Sequence, residues 1–450
     1  MRHHKFFRLA ALAGVAALVA TGCLSSSEES SSSSTDGGTT AGAGGSDPGD
    51  GVVEVFGAFT GEEQAAFEES LVSFEEESGI TIEYSGSADF TTLIRSRIQG
   101  DPPDIGLFPQ PGLLLEVAGT GDDVVPVDEF LDTGSLEETL IPGFLDSTTN
   151  DEGVIYGAPM RMAVKSLVWV PKSYAQEGYS LEPATVQELE GIAQEIKASG
   201  TPPWCIGYEA GAGTGWVGTD WIEEFVLRTA GPEVYDQWVA HEIPFDDPQI
   251  QAAFDAYGEL LGPDAENVRG GSDGILDTPF GEAGNTSFDN PPQCYMQRQG
   301  NFITGFFPED VQKDLDGSVD VFVFPPYEGG FDGQPILGGG DIAALFNGED
   351  DEAKKVMEFL TNDQFGAEWA ASGGWLSPHE TFDASNYPDE TTRKIAEIAA
   401  DADVFRYDAS DLMPAEVGAG SFWDGSVAWI DGTQSTEEVT ADIEASWPSN

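Results

Sequence analysis

The stretch ITIEYSGSADFTTLIRSRIQGDPPDIGLF, residues 80–108, decides the architecture. ITIEYSG is rich in β-branched residues and alternates as a strand does. DFTTLIRSRIQG then reads as a helix with Asp89 as its candidate N-cap. PDIGLF closes the unit as a short strand expected to be buried. Strand, helix and strand in this order imply a right-handed crossover between parallel neighbours. Upstream, VVEVFGAF (residues 52–59) alternates in the same way, and a helical pattern from Glu62 to Ser78 follows it at once. The fold class is therefore α/β. In such sheets the ligand crevice lies beyond the carboxyl ends of the strands. The loops after Phe59, at Ser85 to Asp89 and at Pro109 to Gly112 are expected to line it.

Ahead of this region the chain changes character twice. Residues 1–22 carry Arg2, Lys5 and Arg8, then the apolar run Leu9 to Ala20, then Thr21 and Gly22. That is the layout of an export signal, with an apolar run shorter than the roughly 20 residues a membrane-spanning helix needs. ATGC, ending at Cys23, resembles the bacterial lipobox, although Ala20 stands where Leu is commonest. Cys23 is thus expected to carry lipid after removal of residues 1–22. The next segment, 23–51, is dominated by Ser, Gly, Thr, Asp and Glu, which suits a tether rather than a core. The membrane enters through this anchor alone, on the extracytoplasmic face of a bacterial cell.

The sequence holds 81 acidic and 18 basic residues, a formal net charge of −63. Nucleic acid and anionic lipid are poor partners for such a surface. Scattered carboxylates suit an external medium of high ionic strength, where repulsion is screened. Cys205 and Cys294 form an even pair in an exported chain, so a disulfide between them is expected, with two separate buried thiols as the alternative. The four histidines, His3, His4, His241 and His379, have no zinc-ligand spacing with cysteine, and no metal or cofactor is expected. GTGWVG (residues 213–218) matches the dinucleotide fingerprint, yet Trp216 crowds the turn and no basic residue follows before Arg228. GGSDG (residues 270–274) matches the nucleophile-elbow pattern but lacks a preceding strand.

From Gly100 onward, GDPPDIGLFPQPGLLLEV, GAPMRMAVKSLVWVPKSYAQEG, RQGNFITGFFPED, VFVFPPYEGGFDGQPILGGGDIAALF and LMPAEVGAGSFWDGSVAW resemble the extracytoplasmic solute-binding proteins of ABC sugar importers. The resemblance is to the maltose-binding type, and most to its α-glucoside branch. It implies a two-lobed type II binding-protein fold, each lobe a mainly parallel sheet flanked by helices, with the ligand cleft between lobes. The expected lobes are 52–160 plus 325–376, and 161–324 plus 377–450. It further implies a non-enzymatic monomer that captures an oligosaccharide and docks on permease subunits. Sugar sites combine polar side chains with aromatic platforms. On that basis Asp89, Gln110, Trp216, Asp220, Asp341, Trp375, Glu416 and Trp423 are the candidate ligand residues. The competing class is a lipid-anchored glycoside hydrolase, which needs an acid and a base carboxylate about 5 to 9.5 Å apart.

Overall fold

The computed structural model describes residues 48–448, except 122, 123, 142 and 151. Cys23 and the expected signal segment lie outside the described residues. Strand β1 (Val52–Gly57), helix α1 (Gly61–Ser78), β2 (Thr81–Gly86), α2 (Phe90–Arg97) and β3 (Ile105–Phe108) follow one another as the sequence pattern implies. β1 pairs parallel with both β2 and β3. α1 ends where Gly79 takes φ 74°, a left-handed position that lets its N–H reach the Glu75 carbonyl at 2.9 Å. Val53, Val55, Ile82, Ile105 and Leu107 are buried against Phe67 and Leu71 of α1.

Beyond β3 come α3 (Pro111–Gly119), β4 (Ala158–Val164) and β5 (Leu167–Pro171), with only Lys165 and Ser166 between the last two. β4 belongs to the larger sheet and β5 to a second one. β6 (Gln297–Arg298), β7 (Val319–Val323), β8 (Pro335–Leu345) and β9 (Val404–Tyr407) complete the strands. The larger sheet runs β2-β1-β3-β8-β4, with β9 paired to β8; the smaller runs β6-β5-β7. Passage between sheets therefore occurs at residues 165–166 rather than 160–161, and again between Val323 and Pro335.

Two expectations are corrected here. The larger sheet is mainly parallel as expected, with β8 antiparallel to β3 and β4, but the smaller sheet is antiparallel throughout. β5 pairs only with β6 and β7, which return from far downstream, so the direction of its pairing is set by those long connections and not by the link from β4. Second, β9 falls in the range 377–450 expected for the second lobe, yet it extends the larger sheet through parallel pairing with β8.

Around the smaller sheet pack α4 (Trp216–Thr229), α5 (Pro232–Val239), α6 (Ala409–Leu412) and α7 (Trp423–Ile430). Trp221 of α4 is fully buried and stacks on Tyr257, with centroids 5.1 Å apart, so it is a core residue. Cys205 and Cys294 are bonded across 89 residues with Cα atoms 5.5 Å apart. The segment WCIGYEA, residues 204–210, forms only isolated bridges, at Trp204 and Glu209. Among the described residues no helix is long and apolar enough to cross a membrane.

Candidate functional site

A cavity of about 200 Å³ opens at the carboxyl end of β3. Its lining includes Gln110, Arg161, Lys165, Trp216, Phe302, Asp341, Asp408, Ser410, Asp411 and Trp423. Four of the sequence candidates, Gln110, Trp216, Asp341 and Trp423, therefore meet in one place although more than 300 residues separate the first from the last. Gln110 stands just before α3, where its Oε1 accepts a hydrogen bond from Thr91 Oγ1 at 3.2 Å. Trp216 opens α4 and Trp423 opens α7, so both rings stand at helix starts. Gly215 allows that approach. Its φ of 118° is left-handed, and a Cβ there would stand 2.4 Å from the Trp423 carbonyl oxygen. Ser426 Oγ of α7 lies 2.9 Å from the Gly215 carbonyl and 2.8 Å from the Trp423 carbonyl, so its one proton is shared at the junction of the two helix starts.

The aromatic side of the cavity is built by Trp216, tilted against Phe302 at 6.0 Å, and Trp423. The opposite side is ionic. Arg161 Nε donates to Asp341 Oδ2 and its Nη1 to Glu63 Oε1, both at 2.6 Å. Burial pulls the Arg161 guanidinium down, but the Asp341 and Glu63 charges outweigh it and raise it overall. Burial pushes the Asp341 carboxyl up in spite of Arg161.

The floor is a denser charge network. Lys165 Nζ donates to Asp220 Oδ1 at 2.9 Å and to Asp408 Oδ2, and sits 5.3 Å from the centre of the Trp216 ring. Ser410 Oγ donates to Asp408 Oδ1 at 2.7 Å, and the Ser410 backbone N–H donates to Glu223 Oε1 at 3.0 Å. Behind Asp220 stands Arg298, 3.6 Å from its Oδ2; Arg298 and Arg228 share Glu224. Burial raises the Asp220 and Glu223 carboxyls well above their usual range. Burial also acts upward on Asp408, but Lys165 and the surrounding donors hold that carboxyl below its usual range. Asp220, Glu223 and Asp408 converge within 4.8 Å, and the Lys165 ammonium bound to two of them already supplies their cation.

The other candidates fall elsewhere. Asp220 lies behind the lining as the partner of Lys165, 1% exposed. Asp89 is exposed at the start of α2, and its side chain makes no capping bond. Glu416 is exposed and outside the lining. Trp375 is packed edge-on against Phe365 and tilted on Phe382, so it belongs to the core of the larger-sheet side. Gly366, nine residues upstream, makes room for its ring: a Cβ there would stand 2.3 Å from it. Of the loops expected to line the crevice, only the one after β3 contributes to this cavity. Thr60 lines a neighbouring cavity of about 760 Å³ that shares Arg161 and Phe302.

Arg161, Lys165, Phe302, Asp408, Ser410 and Asp411 were not among the candidates. A signal for the first two was present. Arg161, Ala163 and Lys165 are alternate residues of RMAVKS, so they share one face of an extended segment, and all three line the cavity. With only 18 basic residues in the chain, two on one face of an otherwise apolar strand mark a site.

Comparison with known proteins agrees with this geometry. The profile of the family described as bacterial extracellular solute-binding protein matches residues 57–367. The osmoprotective compounds-binding protein GgtB of Synechocystis sp. is 43% identical over 398 residues, 88% of this chain and 92% of that protein. The alpha-glucosides-binding periplasmic protein AglE of Rhizobium meliloti is 35% identical over 88% of this chain and 86% of its own. Among solved structures, maltose-bound MalE3 of T. maritima superposes with a TM-score of 0.67 at 18% identity, covering 88% of this chain and 98% of that one. Its likeness is one of fold.

Proposed function

We infer that this chain, which belongs to the bacterial extracellular solute-binding proteins, captures a compact α-glucoside and passes it to the transmembrane subunits of an ABC importer. The observation that carries this reading is the cavity itself. Trp216, Phe302 and Trp423 offer ring faces to the C–H surface of a sugar, while Gln110, Lys165, Asp408, Ser410 and Asp411 offer donors and acceptors to its hydroxyls. Its volume of about 200 Å³ lies below the roughly 300 to 1,000 Å³ usual for ligand pockets, which favours a short sugar over a long glucan. The name of the Rhizobium relative supports the α-glucoside class, and that of the Synechocystis relative supports a small solute.

Capture proceeds by closure of the two sheet-centred parts about the connections at 165–166 and between β7 and β8. The protein works as a monomer held through lipid on Cys23, at the outer face of the cell membrane. Mass spectrometry of the native N-terminus tests the anchor: a mature chain that begins at a lipidated Cys23 supports it, and one that retains Met1 contradicts it.

Calorimetric titration with maltose and trehalose tests the function. Saturable binding is expected, with the sugar recovered chemically intact after long incubation. A hundredfold excess of ligand over Kd should stabilise the fold by about 2.7 kcal/mol. Release of reducing ends, abolished by one carboxylate substitution, would instead support the hydrolase reading.

A further inference from the structure

The sugar cavity is not closed on every side. Arg161 and Phe302 also line the neighbouring cavity of about 760 Å³, so the two meet along a shared wall. Alone, the first falls below the roughly 300 to 1,000 Å³ usual for a ligand pocket, and the second falls within that range. A glucosyl ring resting on Trp216 or Trp423 thus has room past Arg161 for whatever it is bonded to.

Arg161 gives that wall its chemistry. It is 9% exposed, with its guanidinium carbon 4.7 Å from the centre of the Phe59 ring and 5.2 Å from that of the Trp369 ring. Nε is spent on Asp341 and Nη1 on Glu63. These contacts fix the plane of the guanidinium and leave Nη2 without a protein partner among the described residues. A largely buried donor at the junction of two cavities is satisfied by an acceptor lying between them, such as the oxygen that links two units of a glycoside.

The larger cavity supplies further contacts. Phe306 is 38% exposed, one of three large apolar side chains exposed among the described residues, and its ring is held against Phe280 with centroids 5.0 Å apart. A Cβ at Gly281 would stand 2.5 Å from the Phe306 ring, so the ring rests on bare backbone and is fixed in place. Together with Phe302 it gives a second apolar surface for the C–H face of a ligand. The charged lining is acidic apart from Arg161: Glu62, Glu63 and Glu69 of α1. The start of α1 would by itself favour an anion, but Glu62 and Glu63 already stand in its first turn. Carboxylates accept from hydroxyls and repel an anion.

We propose that Arg161 is a specificity-determining residue that joins the two cavities into one site, and that the larger cavity takes the second, uncharged unit of the glycoside, a hexose or a smaller polyol. This rests on the sugar-capture reading and adds what the glucosyl unit is joined to. Arg161 Nη2 donates to an oxygen at the link, Phe302 and Phe306 carry C–H surface, and Glu62 and Glu69 accept from hydroxyls. A phosphate in that place is refused, since the one cation of the lining is already balanced by Asp341 and Glu63.

Calorimetric titration with maltose, trehalose, methyl α-glucoside and glucose 1-phosphate tests this. Wild type should bind at least one disaccharide about tenfold more tightly than methyl α-glucoside, and glucose 1-phosphate about tenfold more weakly. Ala65→Trp places a ring in the larger cavity from an exposed position of α1. It should bring the disaccharide down to methyl α-glucoside, whose own affinity stays unchanged. Arg161→Lys keeps a cation for Asp341 and Glu63 but has no Nη2, and should narrow the same ratio. Thermal melts check that each variant is folded, and the wild-type and Ala65→Trp ratios decide the matter even if Arg161→Lys is not. Equal wild-type affinity for the three neutral sugars, a ratio that survives Ala65→Trp, or glucose 1-phosphate bound as tightly as methyl α-glucoside overturns the proposal and leaves sugar capture standing. Failure of every neutral sugar to bind the folded wild type overturns the two together.

Discussion

The two tryptophans Trp423 and Trp375 make an instructive pair. Each is approached by a glycine distant in sequence, Gly215 against the Trp423 backbone and Gly366 against the Trp375 ring, and each is largely buried, 8% and 1% exposed. Trp423 nonetheless lines the cavity at the start of α7, while Trp375 is enclosed by Phe365 and Phe382. Burial alone does not separate a platform from a core ring; what lies against the ring face does. The same contrast holds between the cavity's two chemistries. Its aromatic side is apolar surface left uncovered, whereas its floor is charge that the fold must balance internally before any ligand arrives.

Removal of Lys165 should have the largest effect. Lys165→Met leaves Asp220 and Asp408 without their shared cation, and breaking a buried pair from one side costs about 3 to 5 kcal/mol. Denaturant melts check the stability and titration checks the binding, which should be abolished. A variant as stable as wild type would show that the floor needs no internal cation.

Trp375→Ala should cost a similar amount, about 3 to 5 kcal/mol of stability, because a core ring is replaced by a void. The folded fraction should bind sugar as wild type does. If its affinity collapses instead, the division between the two tryptophans is wrong. Trp423→Ala should behave in the opposite way, weakening binding at least about tenfold, or about 1.4 kcal/mol, beyond any loss of stability. Measuring both quantities on both variants sharpens the comparison as neither does alone.

Much of the fold was legible because it rests on local periodicity. The run from β1 to β3 is fixed by alternation in VVEVFGAF and ITIEYSG and by the helical patterns between them. The antiparallel smaller sheet was not legible from the strands themselves, since β5 pairs with β6 and β7, which return from far downstream. The site divides similarly. Gln110, Asp341 and Trp423 stand in the segments that carry the family resemblance, and Trp216 in the glycine-rich GTGWVG. Asp408, Ser410 and Asp411 were missed because YDASD carries no distinguishing pattern; β9 delivers it to the cavity only through its pairing with β8. Trp375 was misplaced because an aromatic residue reads alike in sequence whether its ring faces a cavity or packs against Phe365 and Phe382.

The smallest effect concerns the protons held in the floor. Glu223 has a carboxyl raised by burial, so its contribution to stability is present below the ordinary carboxylate range and is lost as pH rises through the raised value. Glu223→Gln mimics the neutral form and keeps an oxygen for the Ser410 N–H. It should match wild type in acid and become the more stable of the two toward alkaline pH, by about 1 kcal/mol per pH unit. Thermal melts of the pair across pH read this directly, and a constant difference would place the ionisation elsewhere.

The central claim, that the cavity between Trp216, Trp423 and the Lys165 floor takes a sugar, is tested most directly by a crystal structure of the protein with maltose or trehalose. A sugar ring laid on Trp423 or Trp216, with its hydroxyls on Lys165, Ser410 and Asp411, is expected. A sugar seated wholly in the neighbouring Thr60 to Glu69 cavity, or one that touches neither tryptophan, would contradict it.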